Sequence, residues 1–315
     1  MPRRRIRRSV MSASVTALVV LAGTAAGGAY LTSRSADGAA DPVASVASAS
    51  SRAASPGGGT PSAASSATGE EPAVEYDALV AAAVRPVAGD ARLSVAVLDT
   101  ESGASGAYES TAGQTFDTAS IVKVDILAAL LLAAQDEGRE LTASERASAA
   151  TMIENSDNAS ATRLLQVVGG ESALDAANER LGLTGTTASH AWGLSQTDAA
   201  DQVRLLEAVF APSAGTADSP LSATSRAYVQ ELMGRVEADQ RWGVSAAGGD
   251  ALLKNGWMPR TTTGLWDINS VGRVESDGRT YLVAVLSDGH ATQQAGITLV
   301  EAAAKAAVGA LAAAG

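Results

Sequence analysis

The 315-residue chain contains no cysteine. That excludes a disulfide framework, a thiol nucleophile, thiolate metal ligation and a lipid-modified N-terminal cysteine. Histidine occurs twice, at His190 and His290, which excludes a histidine-rich metal centre and leaves little for a Ser-His-Asp triad. Aromatics are 3% of the residues, so alanine, valine and leucine must do most of the packing in a chain that is 46% hydrophobic. Lysine is limited to Lys123, Lys254 and Lys305. Gly-x-Ser-x-Gly, His-Glu-x-x-His and a phosphate-binding glycine loop are all absent. No cofactor and no metal site is expected.

Charge is uneven. The net charge is −11, yet the first eight residues hold five arginines. From residue 73 onward there are 16 basic and 30 acidic residues, a net of −14. An acidic body argues against a nucleic-acid partner, which needs a basic stripe to neutralise phosphates. The uncharged stretch Ser9 to Leu31 follows the arginines, the pattern of a secretory signal or an uncleaved anchor. Residues 1–35 are therefore expected to be a signal peptide or signal anchor. They would place the rest outside the cytoplasmic membrane, secreted or tethered, with no other membrane contact. Residues 36–72 are expected to be a disordered linker, since thirty of these 37 residues are Ala, Ser, Gly, Pro or Thr.

Residues 73–315 carry mixed α and β patterns. Apolar positions recur at helical spacing through Tyr76, Val80, Ala83 and Val87. Residues 92–100 alternate, with Leu93, Val95 and Val97 on one face and Ala96 and Leu98 on the other, predicting a strand covered on both sides. A second short strand is expected near Gly106–Tyr108, then an almost entirely helical middle from about Thr118 to Gln240. Strands return near Lys254, Asp267 and Leu282, the last two joined by an Asp277-Gly278 hairpin signal. The closing helix should bury Ile297, Val300, Ala304, Val308 and Leu311. Nothing in the pattern calls for an oligomer, and a monomer is expected.

Three short segments carry chemistry. Ser120 and Lys123, in Thr118-Ala119-Ser120-Ile121-Val122-Lys123, open a strongly apolar helix that Thr118 or Asp117 could cap. A serine hydroxyl is a poor nucleophile until a base takes its proton, and a buried lysine can be that base. Lys123 sits between Val122 and Val124, an awkward place for an idle charge. Ser156-Asp157-Asn158 lies between helical stretches, where a hydroxyl could relay a proton and an amide could bind a carbonyl. Taken alone, that triplet would be an ordinary capping turn. Lys254-Asn255-Gly256-Trp257 lies on a strand, where a lysine beside a glycine suits a carboxylate-bearing substrate approaching the backbone. Each motif is common singly. Together, in this order, they hold two of the three lysines.

This set resembles that of the penicillin-recognising serine enzymes, and is most similar to the class A β-lactamase-like serine hydrolases. The resemblance covers about residues 73–315. It implies an α+β fold, a five-stranded antiparallel sheet flanked by N- and C-terminal helices, with an all-helical lobe. It implies that Ser120 is acylated, that Lys123 is its base or relay, and that Ser156 shuttles a proton to the leaving nitrogen. Asn158 would contact the substrate amide, and Lys254 would attract the substrate carboxylate. Ser120 and Trp257 would supply oxyanion N–H groups, with Asn255 and Gly256 lining the substrate strand. The implied substrates are β-lactams or peptidoglycan stem-peptide amides. A binding module with little turnover and a D-alanyl-D-alanine peptidase are the alternatives.

Three departures accompany the resemblance. Asn255 stands where the family usually has a hydroxyl residue. The Ser120–Ser156 spacing is short, so the helical lobe should be trimmed. No glutamate lies between Arg180 and Leu206, where class A enzymes carry the one that activates the deacylating water. Asp198 is expected to cap a helix, and His190 is the loop's candidate substitute base.

Overall fold

The computed structural model describes residues 75–210 and 219–314. The expected signal segment and linker lie outside the described residues.

Helix α1 (Tyr76–Ala88) leads into strands β1 (Arg92–Asp99) and β2 (Ser105–Glu109). Its buried face is Val80, Val84 and Ala88, one position away from the predicted Val80–Ala83–Val87 line. Strands β5 (Gly249–Pro259), β6 (Trp266–Ser276) and β7 (Arg279–His290) return much later and complete one antiparallel sheet of order β2-β1-β7-β6-β5. The late return is fixed by the pairing of β1 with β7, from Arg92 opposite Asp288 to Asp99 opposite Tyr281. Residues Leu93 to Val97 are all buried, as expected of a strand covered on both faces. Asp277 and Gly278 join β6 to β7 with φ of 51° and 78°, the positive pair that a two-residue turn of this twist requires.

Helix α8 (Gln293–Ala314) packs with α1 over one face of the sheet. It buries Val300, Ala304, Val308 and Leu311, while Ile297 stays half-buried. On the other face sits a helical lobe: α2 (Val122–Asp136), α3 (Ala143–Glu154), α4 (Asn158–Val168), α5 (Glu171–Leu181), α6 (Ala199–Phe210) and α7 (Ala223–Gly234). The helical middle is less continuous than the pattern predicts. Two-residue strands β3 (Phe116–Asp117) and β4 (Gln196–Thr197) pair before and after the lobe's first helices, and the 182–195 stretch between α5 and β4 is mostly loop. Two residues are too few for an alternating pattern to show.

The lobe is built around α2, in which every residue from Val122 to Leu132 is buried. A helix that is apolar all round belongs where neighbours surround it, and α3, α4, α5 and α7 do so. Truncating one of its buried leucines, such as Leu130, to alanine would cost about 2–5 kcal/mol. The surrounding helices carry local stop and start signals. Thr142 and Glu145 form a reciprocal capping box on α3. Asp157 caps α4 by accepting from the Ser160 N–H at 2.6 Å, and Asp198 caps α6 by accepting from the Asp201 N–H at 2.7 Å.

Two ionisable residues, Lys123 and Asp125, break the apolar lining of α2. Asp125 is 2% exposed. With its amide nitrogen turned toward the carboxyl, Asn178 donates to Asp125 Oδ1 at 2.7 Å and Oδ2 at 3.1 Å. Burial pushes the Asp125 pKa up to about 8; the Asn178 hydrogen bond opposes the rise, and the Asp175 and Asp201 carboxylates add to it. The native protein therefore keeps a proton that the unfolded chain releases near pH ~3.9. The stability tied to that proton is complete below the unfolded pKa and is lost as pH rises toward about 8. Asp125→Asn should remove this slope, so that the variant gains on the wild type between pH 5 and pH 8. Urea unfolding at the two pH values measures it; parallel stabilities would show that Asp125 is already ionised.

Candidate active site

The Ser120 turn is held in a strained shape by its surroundings. β3 passes through Thr118 into a single 3₁₀ turn, Ala119–Ile121, from which α2 runs on. Ala119 adopts φ 46°, a left-handed conformation that costs a non-glycine residue roughly 1–3 kcal/mol. No side chain caps the turn, contrary to the expected cap from Thr118 or Asp117. Asp117 instead pairs with Arg260 and accepts from the Gln196 amide. The Thr118 N–H donates to the Ser195 carbonyl at 2.8 Å, and its hydroxyl donates to the Trp192 carbonyl at 3.3 Å. From the sheet side, Asn269 Nδ2 donates to the carbonyls of Asp117 (2.9 Å) and Thr118 (3.1 Å), while its Oδ1 accepts from Ser287 N–H at 3.1 Å. Asn269 is fully buried and uses both ends of its amide. Sequence reasoning passed over it, because an asparagine in a strand carries no motif.

The three predicted segments meet around Lys123. Its ammonium is fully buried and lies 2.9 Å from Ser120 Oγ, 3.0 Å from Ser156 Oγ, 2.7 Å from the Ser156 carbonyl and 2.8 Å from Asn158 Oδ1. Asp157, as the cap of α4, sits between the two residues that face the lysine. Ser156 takes φ 58°, a second strained non-glycine conformation in the same site. Burial lowers the Lys123 pKa to about 8, and the Asp157 charge resists that fall.

Lys254 approaches from β5. Its ammonium is fully buried, 3.0 Å from Ser156 Oγ and 2.9 Å from the Asn255 carbonyl. Burial, then the Lys123 charge, holds its pKa well below the usual lysine value. Ser156 Oγ thus accepts from two ammonium groups, leaving its own proton to be passed on. A continuous line runs from Ser120 Oγ through Lys123 Nζ and Ser156 Oγ to Lys254 Nζ. Among the described residues neither lysine forms a salt bridge with a carboxylate. Burying an unpaired ammonium costs several kcal/mol, which stability alone does not reward.

β5 is the free edge of the sheet. Gly256 faces the Ser120 turn so closely that a Cβ there would lie 2.7 Å from the Thr118 carbonyl and 2.9 Å from Ser120 N. Asn255 departs from its expected role on the substrate strand. Side chains alternate along a strand, and Asn255 points away from Lys254 and Gly256. It is fully buried, and its Nδ2 donates to the carbonyls of Gln240 (2.6 Å) and Trp242 (3.0 Å). Its amide is spent on holding the 240–242 segment against β5 and does not replace the missing hydroxyl in the cleft.

The cleft beside Ser120 has a volume of about 630 Å³ and a mostly apolar wall that includes Leu165, Trp192, Leu194 and Trp257. Ser120 and Asn158 open into it. His190 lines the cleft as an exposed rim residue. Trp192 lies deeper. Its ring stands over Lys123 with the ammonium 4.9 Å from the ring centroid, and its indole N–H donates to Thr162 Oγ at 3.1 Å. Glu171 also lines the cleft, as an exposed carboxylate outside the Arg180–Leu206 window. The turn through Gly169 and Gly170, both at positive φ, folds α5 back so that its first residue reaches the cleft. That Gly-Gly helix stop was the signal available in the sequence.

Solved structures share this architecture. A class A beta-lactamase from Bacteroides cellulosilyticus superposes with a TM-score of 0.62 at 16% identity, over 76% of this chain and 99% of its own. PBP-A, as a mutant in acyl-enzyme complex with penicillin G, superposes with a TM-score of 0.61 at 19% identity, over 75% and 97%. The TLA-1 extended-spectrum beta-lactamase gives 0.64 at 16% identity, over 76% and 99%. At these identities the likeness establishes the fold: the α+β fold of the penicillin-recognising serine enzymes. No curated protein matches the sequence. Residues 135–311, more than half of the chain, match the model of the beta-lactamase enzyme family, and the protein belongs to that family. The match includes Ser156, Asn158 and Lys254 but starts after Ser120 and Lys123, whose place in the site rests on the geometry above.

Gly256→Ala tests how tightly β5 and the Ser120 turn are fitted. The atoms that a Cβ would meet are backbone, so no side chain can rotate away. The expected cost is about 1–3 kcal/mol in urea unfolding. An unchanged midpoint would mean that strand and turn part easily.

Proposed function

We propose that the protein is a serine hydrolase that forms an acyl-Ser120 intermediate with β-lactams or acyl-D-alanyl-type amides. The observation that carries this reading is the fully buried, unpaired Lys123 ammonium 2.9 Å from Ser120 Oγ. With its pKa at about 8, Lys123 is neutral in a useful fraction of molecules near neutral pH. The neutral amine takes the Ser120 proton as Oγ attacks the carbonyl carbon. The N–H groups of Ser120 and Trp257 are assigned to the developing oxyanion. Ser156 then gives its proton to the departing nitrogen and is resupplied through Lys123. Lys254 holds Ser156 in place and gives the cleft its positive field. Asn158 holds Lys123 and offers its amide to the substrate. The acyl-enzyme formed by a PBP-A mutant with penicillin G makes penicillins the first substrates to try. On the sequence pattern we place this chemistry outside the cytoplasmic membrane.

Release is the second half of the reaction. Water must attack the Ser120 ester with a base beside it. The loop between α5 and β4 supplies no carboxylate, so deacylation should lag behind acylation. This lag also favours the alternatives of a penicillin-capturing module or a D-alanyl-D-alanine peptidase, which share the first step.

Intact mass after incubation with a fluorescent penicillin decides among these readings. The expected result is an adduct on Ser120 that Ser120→Ala abolishes. No adduct would overturn the proposal, and rapid product without a burst would show efficient deacylation. Lys123→Ala should slow labelling by roughly 10²–10⁴-fold. The wild-type labelling rate should climb with pH and level off above about 8, as the lysine loses its proton. A stopped-flow pH profile checks the sign; a rate that falls across this range would show that the charged lysine is the active form.

A further inference from the structure

The face of Trp192 is the part of the site that the acylation chemistry does not use. Its ring lies 4.9 Å from Lys123 Nζ, and four acceptors already surround that nitrogen: Ser120 Oγ, Ser156 Oγ, the Ser156 carbonyl and Asn158 Oδ1. An ammonium has three protons, so its hydrogen-bonding directions are all committed. The remaining side, toward the cleft, is covered by the indole. The ring is not free to swing there by chance. Its N–H is fixed to Thr162 Oγ at 3.1 Å, and its own carbonyl accepts from the Thr118 hydroxyl at 3.3 Å. The next turn of the loop is closed by Ser195 N–H donating to the Trp192 carbonyl at 3.1 Å, and Ser195 in turn receives Thr118 N–H. Loop, ring and Ser120 turn are thus one hydrogen-bonded unit.

From this arrangement we propose that Trp192 is a water shield over Lys123, a residue that sets the lifetime of the acyl-enzyme by keeping the hydrolytic water from the amine that lies against Ser120 Oγ. The inference rests on the acyl-Ser120 reading. In hydrolysis through Lys123, a water oxygen bonds to the acyl carbon while its proton passes to neutral Lys123 Nζ. The tetrahedral adduct then expels Ser120 Oγ, which recovers a proton from Lys123, and the acyl group leaves as a carboxylic acid. The first transfer needs a water within hydrogen-bond reach of Nζ on the cleft side, where the indole lies. The indole face is a favourable neighbour for the ammonium and offers nothing to hold a water. The missing loop glutamate and the presence of the indole therefore act in the same direction. The loop lacks a carboxylate, and its tryptophan covers the amine beside Ser120.

The test reads deacylation alone. Wild type, Trp192→Ala and Trp192→Phe are each acylated with a fluorescent penicillin, freed of excess reagent, and followed by intact mass as the adduct disappears. Only adduct already formed is counted, so slower acylation in a variant does not enter. Trp192→Ala should lose its adduct roughly a hundredfold faster than wild type, the lower end of what a general base contributes. Trp192→Phe, which keeps an aromatic face but loses the bond to Thr162, should retain a long-lived adduct. A Trp192→Ala adduct as durable as wild type, or a Trp192→Phe adduct as short-lived as the alanine variant's, would overturn the shield while leaving Ser120 acylation intact. If the wild type forms no adduct at all, the acyl-serine reading falls and the shield falls with it. A thermal melt of each variant separates loss of the ring from loss of the fold, since a merely loosened loop would affect alanine and phenylalanine variants alike.

Discussion

A single buried ammonium organises this protein. Lys123 sits on a helix whose buried lining is otherwise apolar save for Asp125, and nothing about folding a hydrophobic lobe asks for a charge there. Its solvation is replaced by two hydroxyls, a carbonyl and an amide, drawn from the Ser120 turn and the start of α4. Each of those partners needs its own support. The Ser120 turn is strained at Ala119 and is pinned from above by the 192–195 loop and from below by Asn269. The Ser156 turn is strained at its own φ and is fixed by the Asp157 cap. The closing of the sheet by β5, β6 and β7 is what brings Lys254, Gly256 and Asn269 to this point from more than a hundred residues away in sequence.

The outline of the fold was legible because its segments have strong, separate periods. β1 alternates, β6 and β7 are joined by an Asp-Gly turn, α2 is uniformly apolar, and α8 shows one buried stripe. The short β3–β4 ladder was not legible, since pairing of two residues is decided by the loops that deliver them. The site was legible to the extent that its chemistry is carried by rare residue types. Lysine is scarce enough in this chain that two lysines falling in motifs carried information. The supporting groups are common residues in unremarkable contexts. Asn269 looked like any polar residue in a strand, and Glu171 like any acidic helix start. Asn255 was misplaced for a physical reason. Its neighbours Lys254 and Gly256 face the cleft, so the pleat turns Asn255 to the opposite side, where the carbonyls of Gln240 and Trp242 take up its amide.

That turn of the pleat changes how a carboxylate would be recognised. A hydroxyl at this strand position could reach into the cleft, whereas the asparagine is committed behind it and leaves Oδ1 without a partner. The positive field on that side of Ser120 then comes from Lys254 acting through Ser156. A field acting through a hydroxyl attracts an anion without fixing its orientation, unlike a paired hydrogen bond. The cleft offers apolar surface instead, through Leu165, Leu194 and the tryptophans, and under the proposed reading this would favour bulky acyl groups by area and impose little geometry.

The two lysines also constrain each other. Lys123 lowers the proton affinity of Lys254, whose depressed pKa is due first to burial and then to the Lys123 charge. Ser156 Oγ stands 3.0 Å from both nitrogens. In the proposed reaction, repulsion between the two lysines rises as Lys123 accepts the Ser120 proton. The hydroxyl between them is the available exit, since it can give its proton to a departing nitrogen and be refilled from either side. In the proposed reaction, that repulsion favours passing the proton on to the leaving group. Removing Lys254 would release Ser156 Oγ from one of its two ammonium donors. The proposed chemistry belongs to the Ser120–Lys123–Ser156–Lys254 line as a whole, and no single member of it can be assigned a separate share.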